Sequence, residues 1–235
     1  MRQVLPDIYL LEGLRVAHVY VLVSEDGLTL IDSGMPGEAD KIVKQIEEAG
    51  YALSDIRAIV MTHAHSDHTG CMAELARRSG AQVLAHRDEA DYLEQTASLP
   101  YKTFMQRLIF GLSERMMSRF EPCKVDQPLQ DGDVVEALGG LQVVHVPGHT
   151  PGSIALYQPE RRVLFCGDAI FNQLPIGGKQ GVRFPPAIVC VDSPQAQASA
   201  RKLAALPAEA VCFGHGEPIL EGAGEKMRAA LGTTG

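Results

Sequence analysis

Residues 61–70, MTHAHSDHTG, decide how the chain is read. They hold His63, His65, Asp67 and His68 directly after the apolar run Ile56, Ala58, Ile59, Val60, which reads as a buried strand. Imidazole nitrogen and carboxylate oxygen are ligands that a borderline divalent metal such as zinc accepts without cysteine. In an extended segment residues i and i+2 point the same way, so His63 and His65 can grip one ion together. Asp67 and His68, past the turn, can face a neighbouring ion. A helical zinc protease would need HExxH, and that pattern is absent. Further ligands must come from other strand ends, and three qualify: His149 in VPGHTPGS, Asp168 in FCGDAIF and His215 in FGHGEP.

Around the cluster, strand and helix signals alternate. Segments 7–13, 18–24 and 27–34 are rich in β-branched and aromatic residues, with a hairpin turn at Glu25-Asp26-Gly27. Ile42, Val43, Ile46 and Ala49 recur at helical spacing before Gly50, a stop signal. Residues 69–80 read as a helix ending at Gly80, and 81–86 as a short strand. Strands resume at 133–139, 141–148, 153–158 and 161–168. Residues 172–192, rich in Gly and Pro and without a period, read as a long loop. Asp192, Pro194 and Gln195 then open a helix, 210–216 is the last strand, and a short helix closes the chain.

Residues 87–121 interrupt this strand-rich order. Asp88 to Gln95 reads as helical, Pro100 breaks it, and a second helix carries Phe104, Leu108, Leu112, Met116 and Phe120, with Met105 and Ile109 widening the stripe. The stripe either packs onto the domain or serves as a lid over the pocket or a dimer face.

Composition narrows the class. With 46% apolar and 21% charged residues, the chain is globular rather than disordered. A formal net charge of −8 without a basic cluster argues against a nucleic-acid partner. No apolar run is long enough to span a membrane, and the start does not resemble a signal peptide, so a cytoplasmic protein without a membrane partner is expected. The 5 cysteines are scattered and never form CxxC, which argues against a disulfide framework and a thiolate zinc site.

The ordered series HAHSDH, GHT, GDA and GH, preceded by IDSG at Asp32, is similar to the motif series of the metallo-beta-lactamase superfamily, and the resemblance runs from Asp32 to His215. It implies an α/β (α+β) fold, a four-layer αββα sandwich of two mixed β-sheets with outer helices. The expectation is one domain over residues 1–235, with a helical insertion at about 87–121 and a metal pair at one end. Carried over by position, His63, His65 and His149 would bind the first metal and Asp67, His68 and His215 the second, with Asp168 bridging. Asp32 would orient a ligand histidine. The cofactors implied are two divalent ions, zinc first, with iron or manganese as the other metals. Ions about 3.5 to 4 Å apart can share a water acidified toward a pKa of about 7, and Asp67 would hold the resulting hydroxide as the catalytic residue.

A bridging Asp168 is typical of the thioesterase, lactonase and phosphodiesterase branches. Hydrolysis of a carboxylic ester, lactone or thioester is therefore expected, with phosphodiester or phosphotriester cleavage as the alternative and β-lactam hydrolysis not the main function. The glyoxalase II branch usually adds a C-terminal helical domain, for which residues 216–235 are too few. From another class, a mononuclear iron oxidoreductase such as a persulfide dioxygenase suits the same ligands. Lys179 and Arg183, on the loop after Asp168, are candidates to bind a carboxylate or phosphate of a small-molecule substrate. His18, His86 and His145 lie outside the series and read as structural. Thr150 and Ser153 read as loop-stabilising, with no GxSxG elbow beside them.

Overall fold

The computed structural model describes residues 1–108, 120–175 and 177–232. The first half builds β1 (Arg2–Leu5), β2 (Ile8–Leu10), β3 (Tyr20–Ser24), β4 (Gly27–Ile31), helix α1 (Ala39–Glu48) and β5 (Ile56–Val60). Helices α2 (Ser66–Thr69) and α3 (Met72–Ser79), β6 (Gln82–His86), helix α4 (Ala90–Leu93) and β7 (Gln127–Leu129) follow. The seven strands form one sheet in sequence order, antiparallel from β1 to β4 and parallel from β4 to β7. The second half adds β8 (Val134–Val135), β9 (Leu141–His145), β10 (Ile154–Gln158), β11 (Val163–Gly167), helix α5 (Ser193–Ala204), β12 (Ala210–Phe213) and helix α6 (Ala223–Leu231). Its sheet runs β12-β11-β10-β9-β8, with only β12 and β11 parallel.

Strand periodicity explains the layering, because alternate side chains face opposite sides of a sheet. Along β10 to β12, Ile154, Leu156, Val163, Phe165, Ala210 and Cys212 meet Tyr20, Leu22, Ile31 and Val60 of the first sheet. Their neighbours Ala155, Tyr157, Leu164, Val211 and Phe213 face away, onto Ala200 and Leu203 of α5 and Met227 of α6. On the far side of the first sheet, Leu28, Leu30, Ile59 and Val83 pack on Ile42 and Ile46 of α1 and Met72 and Leu75 of α3. Helix, sheet, sheet and helix thus stack as the expected αββα sandwich, each face buried against the next.

Two strands depart from the sequence reading. β7 contains Pro128, which withholds a ladder donor and hides the strand from a pattern search, but at a sheet edge that loss is tolerated. β1 precedes the first expected strand and is turned back by Pro6-Asp7, with Asp7 at φ 61. The expected helix at 69–80 is divided: α2 forms one turn, and α3 begins after Gly70, whose backbone lies against Met35 and Pro36. In the insertion, residues 104–108 are helical, whereas Ile109, Leu112 and Met116 lie outside the described residues. Phe120 packs against the layer between the first sheet and helices α1 and α3. Phe104, Met105 and Leu108 are exposed, and it is Gln106 that turns inward, 4% accessible. Its amide donates to the carbonyls of Ala187, Ile188 and Cys190 at 3.2, 3.3 and 2.7 Å. Among the described residues, no helix is long and apolar enough to cross a membrane.

Candidate metal centre

Parallel alignment brings the C-terminal ends of β4, β5, β11 and β12 to one edge of the sandwich. Asp32 follows β4, His63 and His65 follow β5, and Asp67 and His68 lie on α2. Asp168 follows β11, His215 follows β12, and His149 sits in the loop between β9 and β10. Gly214 permits a close approach: a Cβ there would stand 2.3 Å from Asp168 Oδ1 and 2.8 Å from His68 Cε1.

Ligand atoms of His63, His65 and His149 lie within 4.8 Å of one another, as do those of Asp67, His68 and His215. The Nε2 atoms of His63 and His149 are 3.2 Å apart, and those of His68 and His215 are 3.4 Å apart. Asp67 Oδ2 stands 3.4 Å from His215 Nε2 and 3.8 Å from His68 Nε2. Asp168 belongs to both groups, with Oδ2 at 3.4 Å from His149 Nε2 and 3.2 Å from His215 Nε2, and Oδ1 at 3.3 Å from His68 Nε2.

These spacings fit a cation. Two nitrogens each about 2.0–2.1 Å from a tetrahedral zinc stand about 3.3–3.4 Å apart. Asp168 Oδ1 is buried with no hydrogen-bond partner among the described residues, a costly state that a cation relieves. The cluster therefore provides for one or two metal ions.

The metallo-beta-lactamase superfamily profile matches residues 13–215. The chain belongs to that superfamily. It is 32% identical to the probable metallo-hydrolase YflN of Bacillus subtilis over 231 residues, covering 92% of this chain and 86% of the relative. It is 31% identical to the hydroxyacylglutathione hydrolase GloC of Haemophilus influenzae over 162 residues, 68% of each chain. The metallo-beta-lactamase family protein TTHA1429 from Thermus thermophilus shares the fold, with a TM-score of 0.73, 23% identity, and coverage of 97% of this chain and 79% of that one. As a superfamily member with a buried His/Asp cluster, the protein is a metal-dependent hydrolase.

Each histidine of this metallo-beta-lactamase cluster gives one nitrogen to the centre and the other to a partner outside it. His68 Nδ1 is 2.7 Å from Asp32 Oδ2, His63 Nδ1 is 3.0 Å from Thr62 Oγ1, and His215 Nδ1 is 3.3 Å from the Val16 carbonyl. His149 Nδ1 faces Cys190 Sγ at 3.9 Å. His65 is reversed: its Nε2 is 2.9 Å from the Tyr101 hydroxyl, leaving Nδ1 for the cluster. Such outer contacts fix imidazole tautomer and orientation.

In the metal-free cluster, charge is shared between the groups. Burial holds His63 well below the usual imidazole range and brings His65 down to about 3. Burial opposes protonation of His68 and His215 too, but Asp168 leads the carboxylates that outweigh it, raising His68 well above the usual range and His215 to about 9. For Asp67, burial is outweighed by His68 and His215, and the carboxyl falls to about 2. Asp67 is also the open corner, with 22% of its side chain accessible against 4% for Asp168.

Lys179 and Arg183 do not join the cluster. Arg183 donates from Nε to Gly181 O at 2.8 Å and from Nη2 to Lys179 O at 2.7 Å, bracing its own loop, and Lys179 is exposed. Thr150 and Ser153 share a 2.7 Å hydroxyl contact within their loop. His86 and His145 stack at 4.0 Å and 10°. With Asp88 they make a further His/Asp group, yet parallel rings hold their lone pairs in separate planes that do not converge on one ion. Sequence reading missed Tyr101, Cys190 and Glu89. Glu89 is fully buried and accepts from Gly152 N–H at 2.6 Å, and burial raises its carboxyl to about 7. The acidic run Asp88-Glu89 carried no signal, because burial of one member is a tertiary fact.

Proposed function

We propose that the protein hydrolyses carboxylic esters, lactones or thioesters at a centre of two zinc ions. His63, His65 and His149 would hold one ion, Asp67, His68 and His215 would hold the other, and Asp168 would be shared between the two groups. When bound, the ions supply Lewis-acid polarisation of the attacked carbonyl and acidification of water. Asp67, a carboxylate throughout the neutral range and the accessible corner of the cup, accepts a hydrogen bond from the attacking water and fixes its approach. Asp32 holds the proton of His68 on Nδ1, so that Nε2 keeps its lone pair for the ion. Phe171, its ring centroid 5.1 Å from that of His215, gives the cup an apolar wall that keeps water off the rear of the ligands.

The observation that carries this reading is the shared corner at Asp168, which supports two ions over a mononuclear iron centre. Likeness to a protein named hydroxyacylglutathione hydrolase supports including thioesters. The test is a panel of lactones, thioesters, aryl esters, phosphodiesters and a cephalosporin, offered to zinc-loaded protein, together with metal quantification. Turnover concentrated on the carboxylic substrates with about two zinc per chain is expected. One iron per chain with oxygen uptake on a persulfide, or preference for the phosphodiester, would overturn the proposal.

A further inference from the structure

We propose that Tyr101 and Gln106 make the segment 101–108 a strap that sets the affinity of the His63/His65/His149 group for its ion, while the Asp67/His68/His215 group is independent of it. The inference rests on the two-ion reading above and deepens it. Outer contacts of the second group come from the sandwich frame: Asp32, at the end of β4, and the Val16 carbonyl. Outer contacts of the first group come largely from the insertion and the turn it grips. Tyr101, 7% accessible, places its hydroxyl 2.9 Å from His65 Nε2. With Nδ1 serving as the ligand beside His63 and His149, the proton of His65 would sit on Nε2 and be donated to the tyrosine oxygen.

Gln106 holds the other arm. Its amide donates to the Cys190 carbonyl at 2.7 Å and to those of Ala187 and Ile188. The same turn meets His149 twice, with Cys190 Sγ 3.9 Å from Nδ1 and Val191 N–H donating to the His149 carbonyl at 3.0 Å. Arg107 Nε, donating to the Tyr101 carbonyl at 2.9 Å, ties the two arms together. His65 and His149 are thus both oriented through one short segment, and His63 alone of that group is oriented from β5 through Thr62. Tyr101 is a positioning residue: it acts through His65.

The experiment compares stepwise zinc affinities of the full-length wild type, Tyr101→Phe and Gln106→Ala by competition with a chromophoric chelator. Asp32→Asn serves as the comparator that loosens His68 directly and reaches the first group only through Thr62 and His63. Tyr101→Phe removes one oxygen from a buried ring, so melting of the chelated chain is expected to stay as in wild type. One zinc equivalent should weaken about 10- to 100-fold, as for loss of other outer contacts to ligand histidines, with the second equivalent unchanged. The double variant Asp32→Asn/Tyr101→Phe should then weaken one equivalent beyond the level of Asp32→Asn alone and leave the other at that level, showing that Tyr101 acts on one ion only. Identical affinities in Tyr101→Phe and wild type, or equal weakening of both equivalents, would overturn the inference while leaving the two-ion reading intact. A wild type that binds fewer than two zinc ions would sink the reading itself and this inference with it.

Discussion

Asp32 shows how much a single position is made to bear. It sits at φ 62, a conformation that costs a residue other than glycine on the order of 1–3 kcal/mol, and it persists because its surroundings over-determine it. Thr62 donates from its backbone N–H and its hydroxyl to Oδ1 at 2.8 and 3.0 Å, and His68 Nδ1 closes on Oδ2 at 2.7 Å. Asparagine tolerates this backbone but lacks the charge, and it must turn either its oxygen or its amide nitrogen toward Thr62 N–H. Asp32→Asn should therefore fold and weaken the zinc equivalent at His68 about 10- to 100-fold, with a smaller loss at His63, which reaches Asp32 through the Thr62 hydroxyl. A chelator-competition titration with both equivalents at wild-type affinity would remove Asp32 from the role of orienting His68. The seven ligand-type residues stood out in the sequence because strand ends followed by His or Asp repeat along the chain, and Asp32 stood out only through the resemblance of IDSG to the family's motif. Tyr101 did not, since nothing local distinguishes a tyrosine after Leu99-Pro100 from a surface one. Its partner His65 lies far back in the chain.

Elements were legible where one periodicity dominated. The continuous apolar runs of β10 to β12 and the stripe of α1 needed no tertiary help, whereas β7 was hidden by its edge proline. Of the 104–120 stripe, residues 104–108 turn inward by Gln106, a polar residue matched to three carbonyls, which no hydrophobic period announces. Helix α5 is held to the His149 loop by comparable detail. Ser199 Oγ donates to the Pro147 carbonyl at 2.7 Å, and Asp192 N–H to that of Gly148 at 2.8 Å. At Gly148, φ is 126 and a Cβ would stand 2.1 Å from Ala196 N, so backbone meets backbone and neither side can yield by a rotamer change. Gly148→Ala should combine overpacking of about 1–3 kcal/mol with backbone strain of similar size. Melting should fall by roughly 5–15 °C for a chain of this length. Because α5 would be displaced together with the loop, zinc bound at the His149 group should be lost before zinc at the other. A calorimetric midpoint within a degree of wild type would show that this packing is looser than described.

At the scale of the whole molecule, the centre joins the two sheets: His63, His65, Asp67 and His68 come from the first, and His149, Asp168 and His215 from the second. Ion binding and sandwich stability are therefore linked, and the linkage has a sign that changes with pH. In the chelated chain His215 has its pKa raised to about 9 from 6.5, so the folded state holds more protons than the unfolded state between these values. That stabilisation is complete below 6.5 and is lost as pH rises through 9. His68, shifted in the same direction, adds to it. His63 and His65 are shifted the other way, so their contribution is present above 6.5 and lost as pH falls. Bound ions demand neutral imidazoles at every ligand, so binding displaces the protons of His68 and His215, and affinity strengthens as pH rises. Each proton displaced is worth up to about 1.4 kcal/mol per pH unit. Ligand-linked stabilisation follows affinity at fixed metal concentration. The melting gap between zinc-loaded and chelated protein should consequently widen from pH 6.5 to 9, with the chelated midpoint falling while the loaded one holds. Scanning calorimetry at three pH values across that window reads the gap directly. A constant gap would mean that His68 and His215 are already neutral in the metal-free fold, and that Asp168 does not hold their protons.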